Sequence, residues 1–348
     1  MASFSLGIDL HKEFAYWTLV NGEREILWSG KVPTTENDTV KALASLPVPA
    51  EECRAAIEPV AQWGWYSEVL ESQGVGVALA SPLHVGLIAK NKLKHDKIDS
   101  KILAELLQTG YLPEAYLAPR ETRELRELVR THISLVRMQT QVKNRLHGVI
   151  AKHGLRHGKG DLFGKGGLRW LKKQELRPVY RIEADALLRV LAGVQDELKG
   201  IDAAILARAK RDPDTVILET IPGIGYLTAL LIKAEVGRFD RFPHPGRLAS
   251  YAGLVSSSHS SGGKVRLGPI TKAGSKTLRW AMIEAAQRVN PSWGKLWKFY
   301  ENIQLKKGNK TARVALARKI LVVSWYLVKK KEAYHHASIL RDCGGVKQ

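Results

Sequence analysis

The period of apolar positions changes along the chain, and the changes divide it. Phe4 to Leu10, Ala15 to Val20 and Glu25 to Val32 are short runs rich in β-branched and aromatic residues with polar turns between them, the pattern of three successive strands. A helix is predicted over Glu36 to Leu46, a strand over Arg54 to Glu58, a helix over Trp63 to Gln73 and a strand over Val75 to Ser81. Pro82 to Asn91 reads as helical. Asp96 to Thr109 carries Ile98, Ile102, Leu103, Leu106 and Leu107 at helical spacing. Strands that first meander and then alternate with helices predict a mixed sheet with helices on its faces.

From about Glu121 to His153 the pattern becomes one long helix, with an apolar stripe from Leu125 to Ile150 set among arginines. A Gly- and Lys-rich stretch, Gly154 to Lys173, reads as a loop that is flexible or ordered by a ligand. A second long helix is predicted over Ile182 to Arg211, so that the two pack as an antiparallel hairpin. Asp212-Pro213-Asp214 ends that unit. The remainder is mostly helical, with a Ser/Gly-rich interruption at Ser256 to Gly268 whose composition is that of a loop. The expected architecture is α/β followed by mainly α, in three parts: residues 1–115, 116–212 and 213–348.

Composition narrows the class. At 45% hydrophobic residues the chain has enough apolar material to fold, and no 18-residue apolar run is present to span a membrane. The N-terminus lacks a basic segment followed by an apolar one, so no secretory signal is expected. Cys53 and Cys343 form neither a disulfide framework nor a zinc motif, which fits a reducing cytoplasm. The formal net charge is +20 and is unevenly placed: residues 1–119 carry 10 basic and 15 acidic side chains, residues 120–181 carry 16 and 5, and residues 182–348 carry 28 and 14. A polyanion would therefore bind beyond residue 119, with strong salt dependence. Nucleic acid is the favoured partner.

The acidic first segment holds the candidate chemistry. Asp9 sits at the end of the first strand and Glu58 at the end of a later one, while Asp96 and Asp99 lie at i and i+3 on one helix face. Taken singly, Asp96 reads as a helix cap and Asp99 as a first-turn acid favoured by the dipole. Together, in this order, the four acids suit hard divalent cations, Mg²⁺ or Mn²⁺, which work on phosphate oxygens. Further on, the Pro-Gly-Ile-Gly turn of Ile221 to Gly225 presents backbone N–H groups that suit a phosphate, or else is a packed helix–helix turn.

Gly7-Ile8-Asp9, Glu58 and Asp96-Lys97-Ile98-Asp99 resemble the Asp-Glu-Asp-Asp set of resolvase-like insertion-sequence transposases, whose nuclease domain is of the ribonuclease H type and akin to Holliday-junction resolvases. Ile221-Pro222-Gly223-Ile224-Gly225, Phe239, Leu248 to Leu254, Ser261-Gly262, Thr271 to Ser275 and Leu278-Arg279 resemble the same family's C-terminal domain. Here Glu58 is followed by Pro59-Val60-Ala61, where family members commonly have small residues and a glycine.

The resemblance implies a RuvC-like domain with catalytic, metal-binding Asp9, Glu58, Asp96 and Asp99, and a C-terminal domain with a helix-hairpin-helix-like turn. It implies a nucleophilic serine at Ser261, or Ser260 if the register slips. It further implies a composite site in which the metal centre of one subunit meets the serine of another, a phosphoserine intermediate, and guidance by a structured non-coding bridge RNA that pairs with donor and target DNA. Arg123, Arg126, Arg130 and Arg137 recur on one side of the long helix as a phosphate track, or pair with Glu121, Glu124 and Glu127. Gly223, Gly225, Lys264, Arg266, Lys272 and Arg279 complete the expected nucleic-acid contacts. The expected partners are DNA, the guide RNA and further copies of the chain as a dimer or tetramer, in a prokaryotic cytoplasm at the nucleoid, without a membrane. Two competing functions are a resolvase that hydrolyses DNA with water and metal, and a basic scaffold that binds RNA or DNA without cutting.

Overall fold

The computed structural model describes residues 3–82, 84–85, 96–158, 160–261 and 264–335. Internal contacts divide the chain into two compact units, Met1–Arg120 and Glu121–Gln348. The helix expected over Pro82 to Asn91 lies largely outside the described residues.

In the first unit, β1 (Phe4–Leu10), β2 (Phe14–Val20) and β3 (Ile26–Pro33) form an antiparallel meander. After α1 (Glu36–Ala44), β4 (Cys53–Ile57) runs parallel to β1 on its other side. Then α2 (Trp63–Ser72) leads to β5 (Gly76–Ala80), parallel to β4. Helix α3 (Asp96–Gln108) precedes β6 (Glu114–Ala115), which closes the edge antiparallel to β5. The order β3-β2-β1-β4-β5-β6, with its helices, is the mixed sheet of the ribonuclease H-type α/β fold.

Strand alternation makes β1 the organiser of this unit. Leu6, Ile8 and Leu10 are buried in a core with Trp17, Ile57, Tyr66 and Leu70. Ser5, Gly7 and Asp9 point to the opposite face. There α3 lies along the strand in the reverse direction. The Ser5 hydroxyl donates to Gln108 Oε1 at 2.6 Å near the helix end, and a Cβ at Gly7 would collide with the Ser100 carbonyl and with the Ala104 nitrogen. Glycine thus lets helix backbone rest directly on strand backbone. The buried hydroxyls of Thr18 and Ser100, 2.7 Å apart, fix the register from β2.

The second unit is mainly helical. Helices α4 (Arg120–Ala151) and α6 (Pro178–Arg211) form a hairpin, packed through Val142, Leu146, Val149 and Ile150 against Ala184, Leu187 and Leu191. Two features of this region differ from expectation. The stretch read as a loop contains α5 (Lys165–Lys173), ordered because Leu162 and Leu171 are buried in the hairpin core and Gly167 packs on the Leu162 backbone. Asp212-Pro213-Asp214 does more than end a helix: Asp212 Oδ1 accepts from the Thr215 N–H at 2.8 Å and caps α7 (Pro213–Glu219).

Helix α8 (Tyr226–Val236) is buried along Ala229–Ile232 and Ala234–Val236. It shares a core with α9 (Pro245–Tyr251), α10 (Lys276–Gln287) and α11 (Lys295–Lys330), the last broken at Gly308 by a φ of 77°. The Ser/Gly stretch is not a loop. Its backbone forms a hairpin of β7 (Ser256–Ser261) and β8 (Lys264–Ile270), a pairing that serine, a residue not favoured in strands, conceals.

The dependence on Gly7 is testable. Gly7→Val is expected to lower stability by about 3 kcal/mol, read as a shift of the urea midpoint, and to be worse than Gly7→Ala. Wild-type stability in Gly7→Val would contradict the close approach.

Candidate functional site

Asp9 is the penultimate residue of β1, and α3 runs against the strand, so that Asp96 lies by its C-terminal end and Gln108 by Ser5 near its N-terminal end. The two carboxylates meet there with a third group. His11, just beyond β1, places Nε2 3.1 Å from Asp9 Oδ2 and 3.6 Å from Asp96 Oδ1. The three donor atoms lie within 4.8 Å of one another. The His11 carbonyl is held from two sides, accepting from Gln62 Nε2 at 2.5 Å and from the Thr34 hydroxyl at 3.1 Å. Gln62 precedes α2, so this bond ties the β1–β2 turn to the segment after β4.

Glu58 follows Ile57, which pairs with Ile8 in the last register position of β1 and β4. It therefore leaves the sheet beside Asp9 at the ends of two parallel strands. Asp99 stands one turn into α3 and its charge acts on Asp9. Burial, opposed by the charge and hydrogen bond of His11 and reinforced by Asp96 and Asp99, pushes the Asp9 carboxyl above its ordinary value. The four acids are thus carried by three neighbouring elements, with Asp9 and Asp96 in the tightest group. Sequence reasoning passed over His11; its position two residues after Asp9, across the strand end, was the available signal.

Ser261 ends β7 opposite Lys264, and Ser260 pairs with Val265 one step below. Arg266 lies on β8, opposite His259. The base of this hairpin is closed by backbone bonds from Thr271 to Val255 at 2.9 Å and from Ser275 to Tyr251 at 2.9 Å. Lys272 stands exposed between them with a φ of 54°, in the left-handed region that non-glycine residues seldom occupy. Arg279 Nη1 donates to the Ala252 carbonyl at 3.0 Å.

The expected phosphate contacts divide on inspection. Arg137 is exposed on α4, whereas Arg126 and Arg130 turn into the second unit: Arg126 binds the Ala234 and Glu235 carbonyls and Arg130 the Glu235 carboxylate. These two are therefore tied to α8, with the Arg130 side chain still 47% exposed. Gly223, with a φ of 85°, packs so that a Cβ would strike the Trp293 ring and approach the Ala285 carbonyl to 2.9 Å, while Gly225 has open space beside it and caps α8. Nearby Lys233 is paired with Asp214 at 2.5 Å and Arg238 with Asp240 at 2.6 Å. The packing role of the turn is the one its contacts display.

Comparison with known proteins bears on both units. A DEDD transposase model of IS110 type matches residues 6–153, and the model described as the transposase IS116/IS110/IS902 family matches residues 216–302. The chain is thus similar to IS110/IS116-type transposases in both units. The transposase for insertion sequence element IS1111A of Coxiella burnetii is 28% identical over 94% of this chain and 90% of its own length. A probable family 20 transposase of Pseudomonas aeruginosa is 27% identical over 81% of this chain and 86% of its own. A pilin gene-inverting protein of Moraxella bovis is 32% identical over 34% of this chain and 38% of its own. Among the described residues, no helix is long and apolar enough to cross a membrane.

A DEDD transposase domain suggests dependence on a divalent metal, and the residues present fit one: two carboxylates and an imidazole converge at cis-ligand spacing. Mg²⁺ or Mn²⁺ at about 100 times Kd should stabilise the protein by about 2.7 kcal/mol, and Asp9→Asn should abolish that gain in a melting experiment. His11→Ala should weaken Mn²⁺ binding by about tenfold and Mg²⁺ binding less, because nitrogen adds more to a transition-metal bond; equal losses, measured by calorimetry, would count against His11 as a ligand.

In EDTA at pH 7, Asp9→Asn itself should raise the melting temperature. A carboxyl raised on folding contributes stability below its ordinary 3.8 and loses it as pH rises through the folded value, so the advantage of asparagine should fade as the pH falls toward 3.8.

Proposed function

We propose that this transposase cuts and rejoins DNA through a serine–phosphate intermediate, assisted by a divalent cation at Asp9, Glu58, Asp96 and Asp99 and directed to its sites by a structured guide RNA. The observation that carries the reading is the meeting of Asp9 and Asp96 at the C-terminal end of β1. Two partly exposed carboxylates gathered at that distance suit a cation, and a bound Mg²⁺ or Mn²⁺ would polarise the phosphate and stabilise the leaving oxygen.

The remaining roles belong to the chain. Ser261 Oγ forms a bond to the DNA phosphorus as one P–O bond to deoxyribose breaks; the hydroxyl proton passes to water and the released strand keeps its oxygen as a hydroxyl. A hydroxyl of the partner strand then attacks the same phosphorus and returns Ser261. Bond energy is conserved, so strands exchange without net hydrolysis. Lys264, Arg266, Lys272 and Arg279 stabilise the charge that builds on the phosphate. Cationic residues in and just after the hairpin would also supply the setting in which a weak nucleophile reacts.

Guide RNA and DNA are taken as the polyanions that match the net charge of +11 over residues 120–181 and +14 over 182–348. Base pairing would then read sequence, leaving the protein to bind backbones. Two exchanging duplexes require several active sites, hence a homo-oligomer. The relative named for pilin-gene inversion supports exchange of strands over simple cleavage.

The test is covalent attachment to labelled element-end DNA with Mg²⁺ and the flanking transcript. Wild type should give an adduct that survives denaturation, while Ser261→Ala and Asp9→Asn should each reduce it by at least 100-fold, on the order expected for loss of a nucleophile or its metal. Metal-dependent cleavage persisting in Ser261→Ala without an adduct would leave the hydrolytic resolvase instead.

A further inference from the structure

Glu235 on α8 is 1% exposed, an unusual place for an acid. Its carboxylate is fully engaged. Arg130 donates through Nε to Oε1 at 2.9 Å and through Nη2 to Oε2 at 3.2 Å, and the Ser275 hydroxyl donates to Oε2 at 2.9 Å. Its main-chain carbonyl accepts from the Tyr251 hydroxyl at 3.2 Å and from Arg126 Nη2 at 3.1 Å.

These partners are not scattered. Arg126 and Arg130 lie on α4; Tyr251 ends α9, just before the serine hairpin, and Ser275 caps α10, just after it. The segments entering and leaving the hairpin are also joined to each other. Lys272 N–H donates to the Gly253 carbonyl at 3.3 Å, and the Ser275 N–H to the Tyr251 carbonyl at 2.9 Å. Gly253 and Gly274, with φ of 65° and 90°, sit where any Cβ would strike the facing strand of the clasp. The hairpin base is therefore a closed clasp, and Glu235 ties both of its arms to α4.

Glu235 is enclosed while Arg130 keeps 47% of its side chain exposed, and enclosing one charge of a pair is a costly way to hold a fold that apolar packing holds as well or better. What the carboxylate adds is direction: Oε1 accepts from Arg130 Nε, while Oε2 accepts from both Arg130 Nη2 and the Ser275 hydroxyl. We infer that Glu235 is a positioning residue that sets the orientation of the β7–β8 hairpin, and with it the presentation of Ser261. The functional half of this inference rests on the serine reading above.

Glu235→Gln and Ser275→Ala test it in the full chain. Glutamine keeps the shape but turns an N–H₂ toward Arg130 or Ser275, so one link breaks. Ser275→Ala removes the tie to Glu235 together with the cap that Ser275 Oγ gives the Leu278 N–H at 3.1 Å, so faster exchange at the start of α10 is set aside; it leaves the Arg130 pair in place, which covers the case in which Glu235→Gln fails to fold. Hydrogen exchange over residues 256–275 should accelerate at least tenfold in both variants, while α8 and α11 stay as protected as in wild type. Adduct formation on element-end DNA should slow at least tenfold with the DNA Kd unchanged, and the double variant should be no worse than Glu235→Gln alone.

Unchanged exchange over 256–275 would overturn the inference, as would loss of protection spread evenly through the second unit, the mark of a purely structural ion pair. If wild type forms no adduct, the serine reading falls, and the exchange data still decide whether Glu235 holds the hairpin.

Discussion

The geometry of the acidic cluster in the first unit depends on one close contact, helix backbone on strand backbone at Gly7. A side chain there would lift α3 by the width of a methyl group and slide or tilt its start. Because α3 runs against β1, its first residue comes to lie over the last residues of the strand, and Asp96 reaches Asp9. Ser5 with Gln108, and Thr18 with Ser100, fix the same register by hydrogen bonds. The acids are gathered by packing, and the Asp9 carboxyl is raised first by burial and then by the charges of Asp96 and Asp99. A bound cation would offset both.

The second unit uses a related device. At the base of the serine hairpin, Gly253 and Gly274 again allow backbones to meet without side chains between them, and a buried charge network fixes the direction in which the hairpin leaves the core. In both units glycine sets proximity and polar bonds set register. The strand-exchange chemistry proposed here is exacting in just this respect, since misplacing a reacting group by about 1 Å costs roughly 100-fold in rate.

Much of this was legible in the sequence, for physical reasons. The alternation in β1 and β2 and the spacing in α3 are local signals, so the sheet, the helix and the neighbourhood of Asp9 and Asp96 could be read directly. His11 gave a weaker signal, its place two residues after Asp9, because its side chain reaches the acids through a turn held by Gln62 and Thr34 from distant segments. Composition misled where order comes from tertiary contact: glycine and lysine hid α5, which is held by Leu162 and Leu171, and serine hid a β-hairpin. Arginine spacing on α4 suggested an outward track, yet Arg126 and Arg130 find their partners more than a hundred residues away on α8. Charge counts say that polyanions bind; they do not say which cations are already used.

The central claim is that the register of α3 on β1 creates a cation site at Asp9. Anomalous scattering from crystals of the full chain grown with Mn²⁺ tests it most directly. The account predicts a manganese peak within bonding distance of the Asp9 and Asp96 carboxylates, with Gly7 still in contact with the Ser100 backbone. A peak elsewhere, or Asp9 and Asp96 held apart with no metal between them, would contradict it.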